Sequence, residues 1–436
     1  MSGTQWPSEA PAPAPGLDGL ASMVAHEAGA PPDTRVFAGQ AGADATAASS
    51  VQRPTVLIVG GSMGGCCAAL ALGRIGCRVD VCEKAPGELQ SQGAGLVVQP
   101  DLAAFLKRTG AVDSIEEVCV RSAGRQYVDS RGAVIGGSSD PQLFSAWDVL
   151  HRALKAGVPP QAYHSGCAVA AVAASPGGAS ITLRSGEQRS GDLLVGCDGP
   201  GSLVRRTFLP DVASEYQARS GGYIAWRGLV PEQELKPHVL DFIGNKFTVH
   251  QMPCSHILAY LIPGADGCTQ PGGRRVNWVW YVNTPADSLP ALFEDVHGHR
   301  HLYSVPRGLL RDEVAAARKS AAREELPPAL AALVGSTSQV FVQAIHDLLA
   351  PRLAPNPACC LLGDAGCILR PHTVAGTTKA AVNAMALAAA LQRHSFQLGP
   401  ALEEYEQTQL PLARHLVQVG RSIGTRSQFP ERRTQA

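Results

Sequence analysis

Thr55-Val56-Leu57-Ile58-Val59-Gly60-Gly61-Ser62-Met63-Gly64-Gly65 decides the fold. The first five residues are mostly β-branched and apolar, the pattern of a strand buried on both faces in a parallel sheet. The glycines predict a tight turn, and Cys66 to Ile75, rich in Ala and Leu, predicts a helix ending at Gly76. Arg78-Val79-Asp80-Val81-Cys82-Glu83 then reads as a second strand. Strand, glycine turn, helix and strand within about 30 residues make a βαβ unit. Such a turn lets the backbone approach a pyrophosphate, and the helix start offers free N–H groups and partial positive charge. Gly60, Ser62 and Gly65 hold the three fingerprint positions, with Gly61, Met63 and Gly64 between them. Ser62 stands where a second glycine is usual. Glu83 closes the second strand 23 residues after Gly60, where a carboxylate accepts hydrogen bonds from a ribose. The alternative is a glycine-rich turn that binds nothing.

Two later strand ends carry similar signals. Leu193-Leu194-Val195-Gly196-Cys197-Asp198-Gly199 delivers a carboxylate to the start of a helix that holds Ser202, Arg205 and Arg206. Taken alone, it is a plain strand-to-helix cap. Leu361-Leu362-Gly363-Asp364-Ala365 repeats the arrangement, followed by Arg370-Pro371-His372 and Gly376-Thr377-Thr378-Lys379. Carboxyl ends of strands are where α/β sheets bind ligands, and a helix beginning near Gly376 points further N–H groups there. Between these regions, Gly222–Leu229, Phe247–Met252, Ile257–Ile262 and Val276–Val282 are short runs separated by turn residues, which predict a mostly antiparallel sheet. Helices are expected at about 376–392 and 400–423.

Composition excludes several classes. Lys+Arg and Asp+Glu are both 37, so no bulk charge favours nucleic acid or an anionic membrane. No apolar run reaches the roughly 18 residues of a membrane span. The twelve cysteines fall mostly in apolar runs without metal-ligand spacing, which suggests buried thiols of a reducing compartment and no metal site. Residues 1–53 are Ala/Pro-rich, lack a secretory signal pattern and read as a disordered tail. A cytoplasmic protein is expected; an organelle address stays open.

The three strand-end motifs together resemble the single-component FAD-dependent aromatic hydroxylases over about residues 54–425. Within that family the likeness is greatest to the branch acting on dihydroxypyridines. It is carried by Gly60-Gly61-Ser62, Leu96-Val97-Val98-Gln99-Pro100, Trp226-Arg227-Gly228, Ile262-Pro263-Gly264, Asn277-Trp278-Val279-Trp280-Tyr281 and Arg370-Pro371-His372. The resemblance implies an α/β fold: a Rossmann-type FAD-binding domain (54–214 and 351–425), an inserted, mostly antiparallel substrate domain (215–350), C-terminal helices and a flexible end (426–436). It implies bound FAD, transient NADH or NADPH, and O2 as co-substrate. Gly60 to Gly65 would hold the pyrophosphate and Glu83 with Lys84 the ribose. Gln99, Asp198, Gly363, Asp364, Pro371, Gly376 and Thr377 complete the implied cofactor site. His372 is the candidate for the substrate's proton step, with a flavin or backbone hydrogen bond as its alternative role. Trp226, Arg227, Tyr260 and Trp280 are candidate substrate contacts; core packing or a salt bridge is the other reading of each. A homodimer stays open.

Departures from the family pattern are Ser62, Trp147 in place of a flavin-contacting arginine, the bulkier Thr377, and Asn383 in place of a carboxylate. The expected activity is hydroxylation of a small hydroxylated aromatic or N-heteroaromatic ring. The alternative is an epoxidase, a dehydrogenase or a degenerate flavin-binding homologue on the same scaffold.

Overall fold

In the computed structural model, β1 (Thr55–Val59) leads through the glycine turn into α1 (Met63–Arg74) and β2 (Arg78–Cys82). Residues 52–89, 94–213, 215–216 and 222–429 are described; most of the Ala/Pro-rich tail and residues 430–436 lie outside them. The next main elements are β3 (Gly95–Val97), α2 (Pro100–Thr109), β4 (Arg125–Val128), β5 (Val134–Ser138) and α3 (Trp147–Ala156). Then come β6 (Tyr163–His164), β7 (Leu193–Gly196) and α4 (Leu203–Phe208). The middle of the chain supplies β8 (Gly222–Pro231), β9 (Phe247–Met252), β10 (Ser255–Ile262), β11 (Arg275–Thr284) and β12 (Ser304–Val305). It continues with α5 (Asp312–Glu325), α6 (Pro328–Gly335) and β13 (Phe341–Ala344). β14 (Cys359–Leu361), α7 (Gly376–Arg393) and α8 (Leu398–Gln428) finish the fold.

Strands β14-β7-β1-β2-β6 form one sheet in that order, with every pairing parallel. All five carboxyl ends therefore emerge at one edge. The βαβ unit read from the sequence lies at the sheet's centre, and α1 is buried almost all round because its residues are small or apolar. A Cβ on Gly64 would touch Leu362, Cys197 and Ala380, so the start of α1 meets both neighbouring strand ends and α7 at that point.

The second sheet has eight strands in the order β12-β13-β8-β11-β10-β9-β4-β5, antiparallel except where β9 meets β4. β4 and β5 join it from the first third of the chain. β4 has four residues and β5 is exposed throughout with two glycines, so neither has a hydrophobic period to announce it. Successive side chains alternate between the sheet's faces. Ile224, Trp226, Val230, Trp278 and Trp280 pack with Leu330, Leu333 and Val334 of α6 in one core. Tyr260, Ile262, Phe247 and Val249 face the other way and share the core of the parallel sheet.

α8 runs to Gln428, so residues 426–428 are helical and do not belong to a flexible end. Its tip is pinned to the large sheet. Asn283 Nδ2 donates to the Gln428 carbonyl at 2.9 Å, and Gln428 Nε2 meets His256 Nδ1 at 2.8 Å.

Candidate functional site

The glycine turn is built so that no side chain can enter it. Gly60 has φ +99°, and a Cβ there would stand 2.5 Å from the Cys197 carbonyl oxygen. A Cβ on Gly65 would collide with the Gly60 carbonyl. The Gly61 N–H donates to Glu83 Oε2 at 2.8 Å, and the Ala85 N–H to Oε1 at 2.9 Å. Tyr163 Oη donates to the Gly61 carbonyl at 2.8 Å, and His151 Nε2 lies 3.0 Å from the same oxygen. His151 is in turn stacked on Trp147. Ser62 is the N-cap of α1, yet its hydroxyl makes no capping bond and the first turn has no acid. The α1 start thus presents amides that its own side chains leave unanswered. Lys84 is exposed beside buried Glu83, and half-buried Gln99 opens α2.

Asp198 is held locally. Its carboxylate accepts from the Leu203 N–H at 2.6 Å, from the Val204 N–H at 3.2 Å, and from the Ser202 hydroxyl. Burial pushes its pKa up, and these hydrogen bonds pull it back. Its backbone forms the wall against which Gly60 closes.

At β14 the chain turns through Gly363, φ +66°, whose N–H donates to Asn383 Oδ1 at 3.2 Å. Asn383 Nδ2 donates onward to Gln409 Oε1 at 2.9 Å. The amide thus does the accepting that a carboxylate would do, and Gln409 satisfies its donor side. Asp364 follows, half-exposed at the lip. Pro371 and His372 sit in a one-turn helix, and Val374 then adopts φ +49°. A β-branched residue there costs on the order of 1–3 kcal/mol, and such strain collects at working sites. α7 begins beyond it without a side-chain cap or an acid in its first turn; Gly376 is exposed and Thr377 half-buried. The Thr378 hydroxyl is buried with no partner among the described residues.

Facing this edge is the inner face of the large sheet. Arg227 stands opposite Val279; Tyr281 lies one step along that face, and Asn277, paired with Tyr260, one step the other way. Arg227 is half-buried, its Nε is fully enclosed, and its guanidinium bonds to no described residue. Burial raises the pKa of both tyrosines, and the Arg227 charge opposes that rise. Tyr260 packs in a three-ring cluster with Phe144 and Phe247, its ring against Gly95 of β3. Tyr281 packs on His256 and His372, with ring centres 4.7 and 4.9 Å away. Tyr223 Oη shares a 2.7 Å hydrogen bond with His372 Nε2. Burial, reinforced by the like charges of His256 and Arg370, drives the His372 pKa well below its ordinary value, so the ring is neutral at pH 7. Arg370 anchors the turn through a buried pair with Asp347, which Arg421 also contacts at 3.0 Å. A cavity of about 110 Å³, lined by Arg227, Gln343, Ile345, Asp364 and Pro371 among others, joins the sheet face to the Gly363-Asp364 turn.

Two sequence candidates are not brought here. Trp226 and Trp280 project from the opposite face, where the Arg318 guanidinium covers both rings and Trp280 Nε1 donates to Ser255 Oγ. The reason is parity: Trp226 neighbours Arg227 on one strand, and Trp280 neighbours Tyr281, so the members of each pair face apart. Tyr223, His256 and Tyr281 were missed, and alternation counted from Arg227 would have found Tyr223 and Tyr281. Among the described residues, no group of three His, Cys, Asp or Glu is arranged to hold a metal ion, and no helix is long and apolar enough to cross a membrane.

Two uncapped helix starts, a turn closed to Cβ atoms, Glu83 and Asp364 converge on one edge. That donor set fits a dinucleotide. A family model described as FAD binding domain-like matches residues 220–347. The 2,6-dihydroxypyridine 3-monooxygenase of Paenarthrobacter nicotinovorans is 30% identical over 357 residues, covering 81% of this chain and 87% of that protein. The chain belongs to the FAD-dependent aromatic hydroxylases. A 3-amino-4-hydroxybenzoate 2-monooxygenase of Streptomyces platensis is 26% identical over 399 residues, covering 88% of this chain and 90% of its own length. The solved structure of 2,6-dihydroxypyridine-3-hydroxylase from Arthrobacter nicotinovorans superimposes with a TM-score of 0.80 at 28% identity, covering 86% of this chain and 93% of that one. This aromatic hydroxylase is thus an FAD-dependent monooxygenase.

Proposed function

We propose that this enzyme hydroxylates a small, hydroxylated N-heteroaromatic ring of the hydroxypyridine type, using NAD(P)H and O2. When bound, FAD would supply the redox chemistry, passing two electrons from NAD(P)H to O2 so that one oxygen atom enters the ring and the other leaves as water. Gly60, Gly61, Ser62, Met63, Gly64 and Gly65 with the α1 amides hold its pyrophosphate. Glu83 and Lys84 serve the adenosine ribose; Gly363 and Asp364 serve the ribityl chain. Gln99, the Asp198 backbone, Pro371, Gly376 and Thr377 line the rest.

One observation carries the substrate reading. Arg227 is a half-buried cation without a partner among the described residues, set between the rows of two buried tyrosines and lining the same cavity as Pro371. An enclosed guanidinium calls for an anionic or carbonyl oxygen. A hydroxypyridine whose hydroxyl proton is being withdrawn presents such oxygens on a flat ring that Tyr260 and Tyr281 can flank. His372, neutral and hydrogen-bonded to Tyr223, takes the proton from the substrate hydroxyl, and general-base help of this kind contributes about 10²–10⁴-fold. The sheet face, apolar at Leu258 and Val279, keeps water from the reacting ring.

The test is a screen of NAD(P)H oxidation over hydroxypyridines, hydroxybenzoates and phenols with product mass recorded. A hydroxylated pyridinol formed in step with NAD(P)H use supports the proposal. Turnover confined to carboxylated phenols moves the substrate to the aminohydroxybenzoate type. A yellow protein inert to every ring returns it to a flavin-binding homologue without this activity.

A further inference from the structure

Lys379 is a buried charged group at the cofactor edge that the reading above leaves unused. It is the fourth residue of α7, and its side chain is 1% exposed. Its Nζ donates to Asp364 Oδ1 at 3.0 Å and to the Cys367 carbonyl. Asp364 is 46% exposed at the other end of the pair, and its Oδ2 bonds to no described residue.

This placement is costly twice over. A buried ammonium loses its hydration, and the first turn of a helix already carries partial positive charge. A lysine with a free choice of rotamer would reach water. This one is turned inward, onto Asp364 within the Gly363-Asp364 turn and the Cys367 carbonyl just beyond it. It thereby ties that turn to the start of α7. It also fixes which carboxylate oxygen of Asp364 stays free.

We propose that Lys379 is a positioning residue for FAD: it holds Asp364 so that Oδ2 meets a ribityl hydroxyl, and it balances that carboxylate's charge beside the flavin. The proposal rests on the reading of Asp364 as a flavin ligand. Reduced flavin carries negative charge, so an unbalanced Asp364 disfavours reduction.

Four variants separate the possibilities: Lys379→Met, Lys379→Gln, Lys379→Arg and Asp364→Asn. Each apoprotein is titrated with FAD, and the midpoint potential of the bound flavin is measured. Lys379→Met is expected to weaken FAD about 10–100-fold, the scale of a lost charged hydrogen bond. The potential moves to more negative values, and Lys379→Arg recovers most of both changes. In the Asp364→Asn background, Lys379→Met costs less than about fivefold further, because the partner is gone. Wild-type affinity and potential in Lys379→Met, with Asp364→Asn impaired, overturn the inference alone. Unchanged affinity in Asp364→Asn removes the reading of Asp364 and the proposal with it. Should Lys379→Met fail to fold, Lys379→Gln, which keeps a buried donor without the charge, decides by the same two readouts.

Discussion

The two candidate binding surfaces of the molecule are built on opposite principles. At the edge of the parallel sheet, the work falls to the backbone. The turn between β1 and α1 has no room for side chains, and the helix starts present uncapped amides. On the inner face of the antiparallel sheet, the work falls to side chains. Arg227, Tyr260, Tyr281 and Tyr223 come from three strands, and His372 from a turn far along the chain. The edge is specified by short contiguous motifs, each at the end of a parallel strand. The face is specified by strand register and by which of two neighbouring residues points inward. An error of one position at the edge costs a single contact, whereas on the face it exchanges the whole set.

The largest expected effect breaks the edge. Gly65→Ala drives a Cβ into the Gly60 carbonyl, so the turn must open. FAD affinity should fall by more than about 100-fold, or the protein should lose solubility, since overpacking of this kind costs roughly 1–3 kcal/mol and occasionally more. The ratio of flavin absorbance to protein absorbance after purification reads this directly. Retention of full flavin content would mean that the turn is not the pyrophosphate seat.

The next effect separates the two faces of one strand. Arg227→Met should lower kcat/KM about 10²–10³-fold while leaving flavin content intact, the scale of one lost charged contact to a substrate. Trp226→Phe, at the adjacent position, should change kcat/KM less than threefold and cost about 1–2 kcal/mol of stability, because it trims packing and a cation–π contact on the far face. If the two variants behaved alike, the division into a reactive and a structural face would be wrong.

The fold was legible where chemistry and sequence coincide. Thr55–Val59 and Phe247–Met252 have the bounds their patterns predict, because a buried strand between turn residues has nowhere else to end. The convergence of Gly60, Glu83 and Asp364 was legible for the same reason, since parallel strands bring their carboxyl ends to one edge. The proposed substrate face was half legible. Composition pointed to the strands that form it, but choosing Trp226 together with Arg227 ignored the period of two. His256 carried no signal at all, because its partner Gln428 lies 172 residues away on a helix tip. β4 and β5 were invisible for want of apolar contrast.

A smaller effect concerns protons. Burial lowers the His256 pKa to about 4 and drives His372 down as well. In the unfolded chain both titrate near 6.5, so between about pH 6.5 and pH 4 the unfolded state binds more protons. Stability on this account is complete above pH 6.5 and falls as the pH drops through that window. The His256 shift alone corresponds to roughly 3 kcal/mol. Unfolding midpoints measured from pH 7.5 to 4.5 should fall less steeply in His256→Asn than in the parent. Equal slopes would place the acid sensitivity elsewhere. For activity, the same depression means that kcat/KM should show no His372 limb above pH 6; a limb near 6.5 that vanished in His372→Gln would contradict the neutral, buried ring.

The smallest effect tests the serine that departs from the fingerprint. Ser62 holds an extended conformation open to any residue, and its hydroxyl does not cap α1. Ser62→Ala therefore removes nothing that the apoprotein uses, and its unfolding midpoint should match the parent within about half a kcal/mol, where loss of a true N-cap costs about 1. If the hydroxyl instead serves a phosphate oxygen, FAD affinity should fall about three- to tenfold, the worth of one ordinary hydrogen bond. Ser62→Gly should match Ser62→Ala in affinity, because the backbone approach is already open. A drop in apoprotein stability with unchanged FAD affinity would assign the serine to the helix and leave the pyrophosphate to the amides alone.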